Sequence, residues 1–320
     1  MKLSILDQSP LFLNHSAADA LEASKELAML ADQLGYTRYW VTEHHNLTNL
    51  ACPAPEVLLG FIGTHTKRIR LGAGAILLPH YQPYKVAEVF HTLATLFPGR
   101  IDLGLGRAPG GSAVATTALS PRFLEEVWNM PEKVDELLGF LSNSFPTDHL
   151  YRNLRAAPIP DTAPEPWLLG TSLKSARLAA EKGLSYAFGY FMSDKDDHEI
   201  FETYRKAYTG KNSRTILAVS VTCSETEVLA NELAHWSQVA SDYHGKGAKT
   251  LLTIEEARKV SIEDKQPSKL ISGTKEEVKE KLKQLQADYH PDELMVTTIT
   301  PNREDRLTSF RLLGEAFLQD

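Results

Sequence analysis

Short, almost purely apolar runs alternate with longer amphipathic stretches along the chain. Runs without a polar alternation are typical of parallel strands that are buried on both faces. Apolar residues between them recur at helical spacing, as Val86, Phe90 and Leu93 do. Eight apolar runs predict strands, at residues 2–7, 39–42, 71–78, 101–105, 167–169, 185–189, 216–222 and 294–299. Eight strands are more than an open doubly wound sheet usually has, so the pattern predicts an α/β fold, a (β/α)8 TIM barrel in one domain covering residues 1–320.

Helix-capping residues support this division of the chain. Ser16 and Asp19 have the spacing of a capping box, and Gly35 follows the helix that they open. The spacing predicts one helix over residues 121–140, and residues 193–196 are predicted to cap another. The charged, weakly periodic segment 244–272 is predicted to be an insertion that is partly mobile.

The composition excludes several classes of protein. The chain has 320 residues and a net charge of −7, which argues against a nucleic-acid or anionic membrane surface as partner. Cys52 and Cys223 are too few for a disulfide framework or a structural zinc site. Neither a signal peptide nor a membrane-spanning apolar run is found, so we expect a cytoplasmic protein.

Glycine-rich and polar clusters follow four of the predicted strands. They are residues 8–9, 43–46, 104–107 and 170–172. Because the carboxyl ends of barrel strands carry the site in this fold, we expect the four clusters to meet at one mouth.

Two of these clusters suggest a phosphate site. Arg107 is suited to anchoring an anion, and Gly170, Thr171 and Ser172 precede a helix, where backbone amides bind phosphate. The alternatives, a surface arginine beside a glycine turn and a simple serine N-cap, remain open on sequence alone. The glycines of residues 104–110 do not have the spacing of a dinucleotide fingerprint.

The third cluster contains Glu43, His44 and His45. Neighbouring strand residues point to opposite sides and there is no H-E-x-x-H pattern, so we expect no metal site, and a metal-dependent barrel hydrolase is a remote alternative. His44 facing the mouth would suit a general acid or base, while a hydrogen-bonded packing histidine is the other interpretation.

Longer segments resemble a known family. Residues 39–46 (YWVTEHHN), 71–79 (LGAGAILLP), 83–88 (PYKVAE) and 98–107 (PGRIDLGLGR) are similar to the bacterial luciferase-like, flavin-dependent monooxygenases. The similarity extends over nearly the whole chain. At Gly106, the light-emitting luciferase has a reactive cysteine, so light emission is not implied.

This resemblance implies a barrel that binds reduced FMN, which a separate NAD(P)H-dependent flavin reductase supplies. Oxygen would react with the flavin, and the resulting flavin peroxide would oxygenate a small organic substrate. Carried over by motif, Arg107, Gly170, Thr171 and Ser172 would hold the FMN phosphate, Gly74 and Ala75 would form a cis peptide under the ring, and His44 would be the catalytic acid or base. A homodimer is also implied.

Two alternatives share the barrel. One is a deazaflavin (F420)-dependent dehydrogenase, and the other is a flavin-binding protein without turnover. In either case, Trp40, Phe61 and Tyr81 are the aromatic residues that we expect to wall the site.

Overall fold

The computed structural model describes residues 1–193, 197–210, 212–245, 250–261 and 269–318. Its strands lie close to the predicted apolar runs. Within these residues there are nine: β1 (Lys2–Asp7), β2 (Arg38–Val41), β3 (Arg70–Leu77), β4 (Ile101–Gly106), β5 (Glu165–Gly170), β6 (Ser185–Gly189), β7 (Thr215–Ser224), β8 (Ile271–Thr274) and β9 (Glu293–Thr297).

Eight of these strands form a closed parallel barrel. Neighbouring pairs run from β1 through β7 in chain order, β7 pairs with β9, and β9 closes the ring against β1. The remaining strand, β8, pairs only with the far end of β7 and lies outside the ring. The predicted (β/α)8 barrel is therefore confirmed, and its eighth member is β9.

Helices connect the strands and cover the outside of the barrel. In the described parts of the chain they are α1 (Ala17–Leu34), α2 (Pro55–Gly63), α3 (Pro83–Leu96), α4 (Ala113–Leu119), α5 (Phe123–Trp128), α6 (Met130–Ser142), α7 (Leu173–Glu181), α8 (Asp197–Ala207), α9 (Glu227–Gly245), α10 (Ile254–Arg258), α11 (Lys275–Tyr289) and α12 (Arg303–Phe317). The Ser16–Asp19 capping box is present, and Gly35 ends α1 in the left-handed conformation, with φ 87°. None of the described helices combines the length and the apolar character needed to cross a bilayer.

One predicted helix differs from the structure, and two other predicted segments lie partly outside the described residues. The single helix expected over residues 121–140 is divided into α5 and α6, because Pro131 lies in the first turn of α6, where its missing N–H does no harm. Of segment 244–272, the structure describes α10 and part of β8, while residues 246–249 and 262–268 lie outside the described residues. Residues 194–196 of the predicted cap also lie outside them.

An ionic layer fills the barrel near the amino ends of the strands. The Arg38 guanidinium lies 2.9 Å from a carboxylate oxygen of Asp102 and 2.9 Å from one of Glu293, and all three side chains are buried. Trp40 and Trp167 pack above it in a T-shaped contact, and the Trp40 indole N–H donates to Asp102 at 2.9 Å. These layers close the bottom of the barrel and leave space only near the carboxyl ends of the strands.

Candidate active site

A cavity of about 410 Å³ lies at the carboxyl ends of the barrel strands. That volume is in the range of small-molecule sites. All of the predicted site residues line it, together with side chains from β1, β6, β7 and β9. Its lining residues are Leu6, Gln8, Thr42, Glu43, His44, Gly74, Ala75, Leu77, Gly106, Arg107, Ala108, Gly110, Leu169, Gly170, Thr171, Ser172, Ser175, Ala187, Gly189, Phe191, Met192, Ala218 and Met295.

Arg107 and the turn after β5 meet on one side of this cavity. The Arg107 guanidinium donates from Nη2 to Ser172 Oγ at 3.0 Å. Ser172 is the N-cap of α7, and its hydroxyl also accepts from the backbone N–H of Ser175 at 3.3 Å. The Arg107 guanidinium, the hydroxyls of Ser172 and Ser175, and the amino end of α7 thus lie close together. Such a group of donors suits an anion.

Gly170 is required by the same packing. A Cβ at this position would overlap the Ser175 hydroxyl oxygen, which donates to the Ser172 carbonyl at 2.7 Å. The glycine therefore allows the strand end to lie directly against the first turn of α7. Both predicted clusters, Arg107 and residues 170–172, are brought together as the barrel geometry requires.

β3, the neighbour of β4 in the barrel, forms the adjoining wall. The Gly74-Ala75 peptide bond is cis, as the resemblance implies. A Cβ on Gly74 would lie 2.8 Å from Leu6 Cδ1 and 3.1 Å from Trp40 Cε3, closer than side chains tolerate. The backbone here lies directly on the apolar interior, so it presents a flat surface to the cavity.

His44 lies at the end of β2 and its half-buried ring lines the cavity. Nδ1 lies 2.9 Å from the Thr42 hydroxyl, and the backbone N–H of His44 donates to the Cys52 carbonyl at 3.1 Å. Removal of the imidazole from water, together with the nearby His45, lowers the pKa of His44 to about 4. His44 is therefore neutral at neutral pH.

His45 points away from the cavity and joins a hydrogen-bonded cluster around Glu43. The Glu43 carboxylate lies 2.8 Å from His45 Nε2 and accepts from the Tyr81 hydroxyl at 2.8 Å and from the Leu77 N–H at 3.0 Å. The His45 N–H donates to the Gly110 carbonyl at 2.8 Å. Burial of the carboxyl raises the pKa of Glu43, against the lowering effect of these donors. The cluster fixes the loop that carries Arg107 against the ends of β2 and β3.

The aromatic wall differs from the prediction. Trp40 is fully buried below the cavity, Phe61 is exposed on α2, and Tyr81 is held by Glu43, so none of the three lines it. Phe191 and Met192 provide the side wall instead, from the 3-10 turn after β6. The sequence signal for them was only their place after a predicted strand.

The described part of the chain was searched for groups of side chains that could bind a metal ion. Among those residues, no group of three or more His, Cys, Asp or Glu side chains is arranged to hold a metal ion. His44 and His45 lie on different sides of their backbone, as strand geometry predicts.

A second, larger cavity adjoins the first. Its volume is about 710 Å³, and Gln8 and Phe191 line both cavities. The rest of its wall comes from the loops after β1 and β2, the far ends of β7 and β9, α9, and residues 251 and 269–270. The lining residues include Pro10, Leu11, Asn49, Leu50, Ser220, Trp236, Gln238, Asp242, His244, Leu251, Lys269, Thr297 and Ile299. The two spaces together extend from the Arg107 side of the mouth to α9.

Comparison with known proteins decides the family. The sequence profile described as luciferase-like monooxygenase matches residues 1–290. The chain belongs to the luciferase-like monooxygenase family. Two relatives come from Bacillus subtilis (strain 168): protein YwcH is 42% identical, with 99% of each chain covered, and N-acetyl-S-alkylcysteine monooxygenase is 37% identical, with 99% of this chain and 98% of the relative covered.

Solved structures agree with this assignment. The structure of apo-MsnO8 is 34% identical, with 99% of each chain covered and a TM-score of 0.91. Two more distant structures share the fold alone. The oxygenating constituent of 3,6-diketocamphane monooxygenase from Pseudomonas putida, in complex with FMN, is 20% identical with a TM-score of 0.76, over 99% and 98% of the chains. An F420-dependent secondary alcohol dehydrogenase with an F420-acetone adduct is 16% identical with a TM-score of 0.70, over 100% and 99%.

Proposed function

We propose that this luciferase-like monooxygenase uses reduced FMN and oxygen to oxygenate a small organic substrate. The observation that carries the proposal is the contact between Arg107 and Ser172, at the amino end of α7 and at the edge of the cavity. It is the kind of arrangement that binds the terminal phosphate of a nucleotide cofactor. The complex of 3,6-diketocamphane monooxygenase with FMN, on the same fold, supports the same choice.

The residues present fit such a group. Arg107, Thr171 and Ser172 would hold the phosphate, and Gly170 leaves room for the backbone to approach it closely. Gly74 and Ala75 would support the ring on the adjoining β3 wall, where the apolar residues beneath them exclude water. Bound reduced FMN would supply two electrons to oxygen, so that one oxygen atom enters the substrate and the other leaves as water.

His44 is the proposed acid or base. Thr42 orients its ring through Nδ1, and among the described residues Nε2 has no hydrogen-bond partner. A lowered pKa keeps the imidazole neutral, so that at neutral pH it accepts a proton from a reacting group rather than holding one already. Glu43 does not share this role, since its carboxylate is used by the cluster behind the cavity.

The partners follow from the chemistry. A protein that consumes reduced FMN needs a supply of it, so the partner in this proposal is a separate NAD(P)H-dependent flavin reductase, and the cytoplasm is where we expect both. A homodimer is part of the same proposal. The Bacillus relative, an N-acetyl-S-alkylcysteine monooxygenase by name, supports a small organic substrate in general.

The runner-up is a deazaflavin (F420)-dependent dehydrogenase. It is supported by the dehydrogenase that shares this barrel, and the phosphate side of the site would serve either cofactor. The monooxygenase consumes oxygen and the dehydrogenase does not, so a measurement of oxygen uptake distinguishes the two functions.

The first experiment is a titration of the protein with FMN and, separately, with riboflavin. Arg107→Ala should weaken FMN binding about tenfold to a hundredfold, because a hydrogen bond to a charged group is lost. Riboflavin has no phosphate and should be affected much less. Arg177→Ala, an exposed arginine on α7, is the matched control. Equal weakening of both ligands would assign Arg107 to the ring or to the fold.

The second experiment measures turnover. Oxygen uptake with a flavin reductase, NADH and FMN is followed while candidate substrates are added. We expect uptake coupled to substrate oxygenation, and His44→Ala should lower it by about 10²–10⁴-fold while FMN binding stays near normal. Substrate-dependent reduction of F420 without oxygen uptake would favour the dehydrogenase, and binding without either reaction would favour a flavin-binding protein.

A further inference from the structure

Side chains of β7 and β9 line both cavities and form their common floor. The polarity of this floor changes along the two strands. Residues two apart on a strand face the same side. On β7, Ala218 lines the first cavity and Ser220 the second, while on β9 Met295 lines the first and Thr297 the second. The floor is therefore apolar beside the proposed flavin site and carries hydroxyls one step further out.

Ser220 and Thr297 are direct neighbours across the two strands. They are partners in the β7–β9 register, so their side chains lie about 5 Å apart on the same face. Gln8, which lines both cavities, places an uncharged amide at the junction of the two spaces. The polar groups that face the junction from the barrel strands are thus neutral.

Thr297 is the residue that indicates a ligand. It is only 3% exposed, and its hydroxyl has no hydrogen-bond partner among the described residues. A buried hydroxyl without a partner costs stability, about 1–3 kcal/mol in general. Thr297 lines the second cavity, so the group from outside the chain that comes nearest to this hydroxyl is whatever fills that cavity.

The charged residues that line the second cavity do not belong to its floor on β7 and β9. Asp242 and His244 belong to the last turns of α9, and Lys269 precedes β8, where its ammonium lies 4.4 Å from the centre of the Tyr190 ring. None of these is on a barrel strand, so the floor itself offers no charge to a charged ligand group. An ionised group placed on the floor would lose part of its water, and no charged side chain of β7 or β9 lines the cavity there to compensate.

We propose that the second cavity binds the substrate, and that the Ser220–Thr297 pair selects an uncharged carbonyl or hydroxyl group on it. The distance along the strands from Ala218 and Met295 to this pair is two residues, or about 7 Å. The substrate class is therefore a small neutral molecule with an apolar end near the flavin and a hydrogen-bonding group about 7 Å away. This inference rests on the proposed function only in placing the cofactor in the first cavity.

The test uses two probes of similar length, 2-heptanone and hexanoate, and two variants. Thr297→Val removes the hydroxyl with little change in shape. Thr222→Val is the matched control, because Thr222 is also buried, at 1% exposed, with an unpartnered hydroxyl, but is not among the described residues that line either cavity. Affinities are measured by titration calorimetry on the full chain, with and without saturating FMN, and FMN affinity is measured in parallel.

We expect the wild-type protein to bind 2-heptanone more tightly than hexanoate. Thr297→Val should weaken 2-heptanone binding about threefold to tenfold, the worth of one neutral hydrogen bond, and Thr222→Val should not. Both variants should keep or raise the melting temperature, because each removes an unpaired hydroxyl. A lower melting temperature in Thr297→Val alone would mean that its hydroxyl stabilises the fold, and this result would overturn the proposal.

Two further results would overturn it: a preference for hexanoate, or 2-heptanone binding that does not change in Thr297→Val. Either would do so even if FMN binds as proposed. Failure of FMN to bind would instead refute the proposed function, and the effect of Thr297→Val on 2-heptanone binding without FMN would still decide whether the pair selects the substrate.

Discussion

The lowered pKa of His44 predicts a specific loss of stability in acid. In the unfolded chain an imidazole has a pKa of about 6.5, whereas in the folded chain that of His44 is about 4. The unfolded state therefore takes up a proton first as the pH falls. The contribution of His44 to the free energy of unfolding is fully present above about pH 6.5. It decreases as the pH falls from about 6.5 to about 4 and no longer changes below that. The linkage relation gives a loss of about 2 kcal/mol at pH 5 and about 3 kcal/mol below pH 4.

The perturbation is His44→Gln, which replaces the imidazole by a side chain that does not titrate. Urea unfolding followed by tryptophan fluorescence gives the free energy of unfolding of both proteins at pH 7 and pH 5. We expect the difference between wild type and variant to shift by about 2 kcal/mol in favour of the variant at pH 5. Glu43 is present in both proteins, so most of its contribution cancels in this comparison.

His15→Gln, at an exposed histidine away from the cavity, is the control for the loss of one histidine. A difference between wild type and His44→Gln that is the same at both pH values would refute the reasoning. It would mean that His44 titrates in the folded chain as it does in water, and its lowered pKa would have to be abandoned.

Two further predictions concern the fold around the site. Arg38→Met should lower the free energy of unfolding in urea by about 3–5 kcal/mol, because it leaves the buried carboxylates of Asp102 and Glu293 without their shared partner. Arg70 also donates to Asp102, from Nε at 2.9 Å, and a loss below 1 kcal/mol would show that Arg70 replaces Arg38. Gly170→Ala should displace Ser175 and weaken the cap of α7, lowering the melting temperature and FMN affinity together; normal FMN binding in a destabilised variant would separate the cap from the phosphate site.

Much of the barrel was predictable because its strands are buried on both faces. A strand of this kind is an uninterrupted apolar run, and the glycines and prolines around it mark its ends. The meeting of Arg107 with residues 170–172 was predictable for the same reason, since β4 and β5 are neighbours whose carboxyl ends share one edge. The break between α5 and α6 was missed, since Pro131 is compatible with a first turn as well as with the middle of a bent helix.

The side-chain directions were not predictable. Residues 38–41 of β2 are all buried, so no alternation of polar and apolar residues shows that Trp40 points to the barrel interior. Phe191 and Met192 lie in a turn whose course depends on β6 and β7. Thr297 is an ordinary strand residue in the sequence, and only the packing around it reveals that its hydroxyl has no partner among the described residues.

The ionic layer of Arg38, Asp102 and Glu293 also affects the order in which ligands can bind and leave. It blocks one end of the barrel, and among the described residues neither cavity is lined from that end. Within the described residues both cavities lie at the carboxyl ends of the strands, and on β7 and β9 the first lies two residues deeper than the second. In the proposed arrangement this orders the encounters: the flavin before the substrate, and the product before the spent flavin.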